Sequence, residues 1–237
     1  MKIAGWSVLL TFSFAVIGRA DLTIVQKVEG EGAPSEMTIK IKGEKARLDI
    51  SPQISTIIDS KTGEMVSLMN DQKAVVRISA EKMKAAAEAA SKFSDKKEAA
   101  GPVKLTPTGK KETVSGYETE QYTYEAPSFK ATYWIATKYP DAAGILKQLQ
   151  ALNSQAWNSG MAKLPDYRDF PGMPIKTEVS AGENRKITST IISVKQDSVS
   201  DADFSVPKDF QEIKAPDMSG MGAAKPNTPA EDSSPKP

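Results

Sequence analysis

Polar and apolar residues alternate through the first third of the chain. In MTIKIKGEKARLDI, residues 37–50, the apolar set is Met37, Ile39, Ile41, Ala46, Leu48 and Ile50. A period of two marks half-buried strands, because successive side chains point to opposite faces. Gly43-Glu44 fits a two-residue hairpin loop, with glycine at the first position as a type II′ turn requires. Ile41 then faces Ala46, Ile39 faces Leu48 and Met37 faces Ile50 on one side. The other side pairs Lys42 with Lys45, Lys40 with Arg47 and Thr38 with Asp49. A one-residue slip would turn the whole apolar set outward, so the register is well specified. The basic pairs read as a solvated face with edge-protecting lysines, although such pairs could also bind anionic headgroups or acidic partners.

The alternation continues in ISTIIDSKTGEMVSLMNDQKAVVRIS. Asp59 to Gly63 carries turn chemistry, and Asn70-Asp71 is a tight-turn dipeptide. That places Met65, Met69, Val76 and Ile78 on one face, with Glu64 opposite Arg77. Residues 80–99 break the period. They are alanine-rich, hold the i,i+4 pair Glu88–Lys92 and predict a helix with a thin stripe of Met83, Ala86, Ala90 and Phe93, ended by Gly101-Pro102. In GKKETVSGYETEQYTY, residues 109–124, Gly109-Lys110-Lys111 reads as a tight turn and Gly116 as a bulge or bend. Tyr122 and Tyr124 then meet the strand FKATYWIAT across a loop with Pro127. That strand puts Phe129, Ala131, Tyr133 and Ile135 on one side. Tyr139-Pro140-Asp141 opens a second helix over 141–158, with a broader stripe of Ile145, Leu149, Leu152 and Ala156 beside Leu146 and Trp157. LPDYRDFPGMP is a loop, and the strands IKTEVSA and RKITSTIISVKQ follow, joined around Gly182-Glu183-Asn184. No internal repeat is visible.

The two ends read differently. Lys2, an apolar run from Ala4 to Ile17 and Gly18-Arg19-Ala20 form a secretory signal cleaved after Ala20, since a span needs roughly 20 apolar residues. From Ala215 the chain holds five prolines and no aromatic or branched aliphatic residue, which predicts a disordered tail. The organisation is therefore a signal peptide (1–20), one domain (21–214) and a tail (215–237), exported to the periplasm or beyond and soluble.

The sequence has no cysteine and no histidine. Disulfides, thiol nucleophiles, Ser-His-Asp triads and imidazole or thiolate metal sites are excluded, and neither cofactor nor metal is expected. Without Lys2 and Arg19 the chain carries 29 basic against 30 acidic residues, a net of −1, which argues against nucleic acid. Gly109-Lys110-Lys111 lacks the rest of a phosphate-binding loop. Paired carboxylates are the remaining acid/base chemistry: Glu118 with Glu120, and Asp201 with Asp203. Such i,i+2 spacing is common on exposed strands. The aromatic set Tyr117, Tyr122, Tyr124, Phe129, Tyr133 and Trp134 reads as cross-strand stabilisation in preference to a stacking platform.

One apolar sheet face with only two helices to cover it leaves room for an apolar ligand. The closing run SVSDADFSVPKDFQEI resembles the end of the lipoprotein-carrier superfamily (LolA and LolB), with Asp203, Phe204, Pro207 and Lys208 closing the last strand. IIDSKTGEMVSLMNDQKAVVRI and TGKKETVSGYETEQYTY are similar to a family of exported bacterial proteins known only as a domain of unknown function. The likeness spans most of residues 22–213. It implies an α+β fold: an antiparallel β-sheet curved into an unclosed half-barrel with two α-helices over the concave side. Asp209 stands where the carrier has a glycine, and no position matches the carrier's gating arginine or protruding loop, so no functional residue is carried across.

The expectation is a non-enzymatic binding protein for an apolar, lipid or lipoprotein-type ligand, lined by Met65, Met69, Phe129, Tyr133 and Ile135. An envelope interaction or sensor module that binds another protein is the alternative, and a carbohydrate-active enzyme using the carboxylate pairs the third. Mass spectrometry of the exported protein is expected to find Asp21 as its first residue. An intact leader on the released protein would refute that cleavage.

Overall fold

The computed structural model describes residues 21–30, 33–85, 104–126, 129–152, 165–181 and 185–214. The alternating stretches form strands: β1 (Leu22–Glu29), β2 (Ser35–Lys42), β3 (Lys45–Ser51), β4 (Ile54–Asp59), β5 (Glu64–Met69) and β6 (Ala74–Ile78). A second series is β7 (Thr106–Val114), β8 (Tyr117–Ala126), β9 (Phe129–Ala136), β10 (Met173–Ala181) and β11 (Arg185–Lys195), with a short β12 (Gln211–Glu212). Helix α1 covers 80–85 and α2 covers Ala142–Leu152. The leader, the tail, the loops at Pro127 and Gly182-Glu183-Asn184, the remainder of the first predicted helix and residues 153–158 of the second lie outside the described residues.

Each hairpin chain forms a meander, and the two meanders join where β1 pairs with β11, giving the order β12-β6-β5-β4-β3-β2-β1-β11-β10-β9-β8-β7. The sheet is unclosed, ending at β12 and β7. Every pairing is antiparallel except β12 with β6, which is parallel. The β2–β3 register is the predicted one, with Ile41 opposite Ala46, Ile39 opposite Leu48 and Lys42 opposite Lys45. Gly43 makes the turn at φ +57. Tyr122 and Tyr124 meet Tyr133 and Ala131 as expected.

Three turns differ from their sequence readings. Asn70-Asp71 is not a two-residue loop. Met69 pairs with Ala74, and Lys73 turns the chain at φ +48. Asn70 instead ties this loop to the preceding one, its side-chain amide donating to Pro52 O at 2.8 Å and its backbone N–H to Gln53 O at 2.8 Å. The shift is by two residues, so the faces survive: Met65 is still beside Ile78, and Arg77 still donates to Glu64, at 3.2 Å. Gly109 and Gly116 exchange their predicted roles. Val114 pairs directly with Tyr117, so Ser115 (φ +50) and Gly116 (φ +81) form the hairpin turn, both in the left-handed region that a type I′ turn demands. Gly109 sits instead in a bulge between Pro107 and Lys111, with Thr108 Oγ1 donating to Gln121 O at 3.0 Å.

The face that meets α2, called the front face below, carries the main core. Leu22, Ile24, Ile39 and Ile41 continue into Ala131, Tyr133, Ile135 and Ile175, and Ile145, Leu146 and Leu149 of α2 pack into the same cluster. LPDYRDFPGMP is not a plain loop: it holds a 3-10 turn, Tyr167–Asp169, that delivers Phe170 to this core, and β10 starts two residues early at Met173. The β7–β8 turn reaches across β9 and β10, with Ser115 Oγ donating to Ile191 O at 3.3 Å. A contact that skips two strands requires the sheet to curl at this end.

A Cβ at Gly172 would collide with the backbone of Ala136 and Thr137, whereas one at Gly43 would meet nothing. Gly172→Ala is expected to cost about 1–3 kcal/mol by overpacking, and Gly43→Ala about 1 kcal/mol by left-handed strain alone. Urea unfolding of the two variants checks the order; equal losses would refute it.

Candidate functional site

The residue-by-residue register decides which predicted ligand-lining residues share a face. Tyr133 lies opposite Thr177, Thr177 opposite Ser189 and Ser189 opposite Val28. On the other side of the seam, Ile39 lies opposite Leu48, Ala46 opposite Ile58, Ile58 opposite Met65 and Ile54 opposite Met69. Directly opposed residues point the same way, so Met65, Met69, Phe129, Tyr133 and Ile135 all look out from the front face.

They are not one cluster, because six strands separate β5 from β9. Phe129, Tyr133 and Ile135 are packed against protein. Tyr133 meets Phe170 edge-on at 5.0 Å between ring centroids, Phe129 lies 5.8 Å from Tyr124, and Ile135 is 0% exposed. Burial, with lesser effects from the Tyr167 and Tyr124 rings, pushes the Tyr133 hydroxyl far above the ordinary tyrosine range and keeps it neutral. Met65 and Met69 are half-buried. Beside them on the front face Ile50 and Ile54 remain 43% and 44% exposed, and Met37 and Leu48 are half-buried. Ile50 protrudes because the β3–β4 register shifts between Asp49 and Ser51. The alternating pattern marks Ile50 as apolar but carries no sign of the bulge, so this open end of the face is not readable from it.

The back face corrects the solvated reading of Lys40, Lys42 and Arg47, while Lys45 stays exposed as expected. β2 and β3 are interior strands, not edges, and the C-terminal run crosses their back face as a strap. Lys40 Nζ pairs with Asp203 at 2.7 Å, Lys42 Nζ with Asp201 at 2.9 Å, and Lys42 also donates to Val199 O at 2.8 Å. Arg47 donates to Asp49 at 2.7 Å, to Asp203 O at 2.9 Å and to Ser55 Oγ at 3.2 Å. Between these polar clasps Val199 and Phe204 enter a second apolar cluster with Ile57, Val66, Leu68 and Val75, flanked by Val206 and Phe210. Asp203 and Phe204 therefore belong to a 3-10 turn, Asp201–Phe204, and do not close a strand. Asp209 pairs with Lys73 at 2.9 Å.

Neither carboxylate pair stands free. Lysines hold Asp201 and Asp203, Glu118 is 3.8 Å from Lys138, and Glu120 accepts from the Tyr122 hydroxyl at 3.4 Å. A cavity of about 400 Å3 beside the strap is lined by Lys42, Lys45 and Lys61 and by Glu44, Asp59 and Asp201, a balanced set of charges. Among the described residues no cluster of three or more acidic side chains could hold a metal ion, and no helix is long and apolar enough to cross a membrane.

These features define an α+β protein built on one large unclosed sheet. The chain belongs to the DUF4412 family, a domain of unknown function, matched over residues 17–210. No curated protein matches it. Among solved structures it is similar to PNGF-II, at 14% identity and a TM-score of 0.41, over 86% of this chain and 34% of that one. It is similar to the Pseudomonas aeruginosa MucA/MucB complex at 10% identity and a TM-score of 0.44, over 84% of this chain and 60% of that one. A LolA superfamily protein from Nitrosomonas europaea matches at 8% identity and a TM-score of 0.28, over 78% of this chain and 89% of that one. The chain thus spans about a third of the length of PNGF-II.

The strap's ion pairs make it pH-sensitive at both extremes. Hydrogen bonds from Lys42 and Lys73 hold Asp201 and Asp209 below the ordinary 3.8. The same bonds raise both lysines above 10.5. A depressed carboxylate stabilises above its ordinary value and loses that contribution as pH falls through the folded one. A raised lysine stabilises below 10.5 and loses it as pH climbs through the folded value. The strap is accordingly clasped through the neutral range and loosens in acid. NMR shifts of the Gln211 and Ile213 amides are expected to move before the rest of the sheet as pH falls below 3.8; shifts constant until global unfolding would refute this.

Proposed function

We propose that the protein is a non-enzymatic binding protein, working outside the cytoplasm, that holds an apolar, lipid-like ligand along the front face of a curved half-barrel. Its two helices would lie over the concave side. One observation carries the reading: the front face is capped by Ile145, Leu146 and Leu149 of α2, yet Ile50 and Ile54 stay 43% and 44% exposed at its other end. Two β-sheet isoleucines side by side in water forgo about 1 kcal/mol each of burial, which an acyl chain laid across them would recover. Met65, Met69 and Met37 flank this end, and methionine is the side chain that best re-packs around an irregular apolar guest. Phe129, Tyr133 and Ile135 then form the packed floor under α2, and Met65 and Met69 the part that touches ligand.

Native mass spectrometry of gently purified protein is expected to show lipid-mass adducts. In Ile54→Asp and Ile50→Asp, whose side chains already face water, the adducts should fall severalfold while unfolding temperature holds. Lipid-free protein, or adducts unchanged in both variants, would overturn the reading.

A further inference from the structure

The back face of β3–β6 is built as a groove. Its floor is the apolar strip Ile57, Val66, Leu68 and Val75, with Leu68 only 1% exposed. Cations line both sides: Lys40, Lys42 and Arg47 on one, Lys73 and Arg77 on the other. The strap that fills it, residues 199–213, is a run interrupted by the 3-10 turn Asp201–Phe204 and by a second turn closed by Phe210 N–H donating to Pro207 O at 3.1 Å, and it brings matching chemistry. Val199, Phe204, Val206 and Phe210 are its apolar knobs, and Asp201, Asp203, Asp209 and Glu212 its anions.

The manner of attachment is that of a bound peptide. Main-chain pairing to β6 is limited to a two-residue parallel strand, with Gln211 N–H donating to Lys73 O at 2.8 Å and Ile213 N–H to Val75 O at 2.9 Å. Lys42 and Arg47 hold the strap by its backbone carbonyls, Val199 O and Asp203 O, which every peptide offers. Several of its ion pairs are solvent-exposed: Asp201 is 92%, Glu212 62% and Asp209 57% accessible. Such pairs are screened by water and hold the strap only weakly.

We propose that the back face of β3–β6 is a recognition groove for an extended acidic-aromatic peptide segment of a partner protein, and that residues 199–213 occupy it as a displaceable latch. The required pattern is the strap's own: carboxylates bracketing an aromatic residue, then a short stretch adding to the β6 edge. This is strand addition with side-chain pockets giving specificity. A partner competes with a tethered occupant, so its apparent affinity is its intrinsic affinity multiplied by the fraction of time the latch is open. The groove lies on the opposite face from the apolar-ligand site and does not depend on it.

The test uses a fluorescent peptide of residues 198–214 and the full-length chain. An Asp203→Lys, Phe204→Ser chain has a loosened latch and is expected to bind the peptide at least about tenfold tighter than the unaltered chain. Adding Lys40→Asp to that chain should abolish the gain, and a peptide carrying Asp203→Lys should restore it. A loosened latch that gains no affinity, or a gain indifferent to Lys40→Asp, overturns the proposal. Should the altered chain not fold, hydrogen exchange on the unaltered chain decides. The Gln211 and Ile213 amides should exchange by local opening, well before the β4–β5 ladder; exchange only on global unfolding overturns the latch.

Discussion

The pairing of β1 with β11 makes one sheet out of two. Without it the chain would fold, at best, as separate meanders of consecutive hairpins. The partners come from opposite ends of the domain, Thr23 beside Lys195 and Glu29 beside Thr188. The seam carries a bulge between Val25 and Gln26 that takes up the mismatch in length and adds local twist. It also fixes the start of the strap, because Asp21, just before β1, accepts from the Val199 N–H at 2.8 Å. Both faces of the molecule follow. The front face is continuous only because Leu22 and Ile24 bridge the two halves, and the back face is covered only because β11 ends where Val199 can turn across it.

The two faces are mechanically joined strand by strand. In β5, Met65 and Met69 look to the front while Val66 and Leu68 anchor the back cluster. In β3, Leu48 faces the front while Arg47 grips the strap. The strap and the open end of the front face thus share the same strands, one thickness of sheet apart.

How much of this was legible in the sequence depends on the range of the interaction. The β2–β3 hairpin is legible from Lys42–Lys45 to Thr38–Asp49 because Gly43 and the alternation on either side of it are local and agree; the expected Met37–Ile50 pair is not part of the register, which ends where β3 shifts between Asp49 and Ser51. Around residues 109–116 two glycines both take positive φ, and local pattern offers no means of telling the bulge at Gly109 from the turn at Gly116. The length of the Asn70 loop is not legible because Asn70, whose carbonyl accepts from the Lys73 N–H at 3.2 Å within the loop, also donates to Pro52 O and Gln53 O in the preceding one. Least legible was the fate of Lys40 and Arg47, whose shared contact, Asp203, lies more than 150 residues away. The run containing Asp203 and Phe204 stood out as a family feature, but nothing in a linear pattern connects it to the basic side of the second hairpin. The front-face residues were placed on one face by parity alone; which are floor and which are rim depends on Phe170, contributed by a stretch that looks like loop.

The sheet's two free margins are treated differently from its interior. β7 interrupts its own outer edge with Pro107, which has no N–H to offer, then the Gly109 bulge, then Lys110 and Lys111. Another copy of the sheet finds no straight row of donors and acceptors to extend there. At the far margin the safeguard among the described residues is only two residues long, where β12 pairs with part of β6. Among the described residues the two margins are thus unequally guarded, and the guard at the β6 side is the C-terminal run itself.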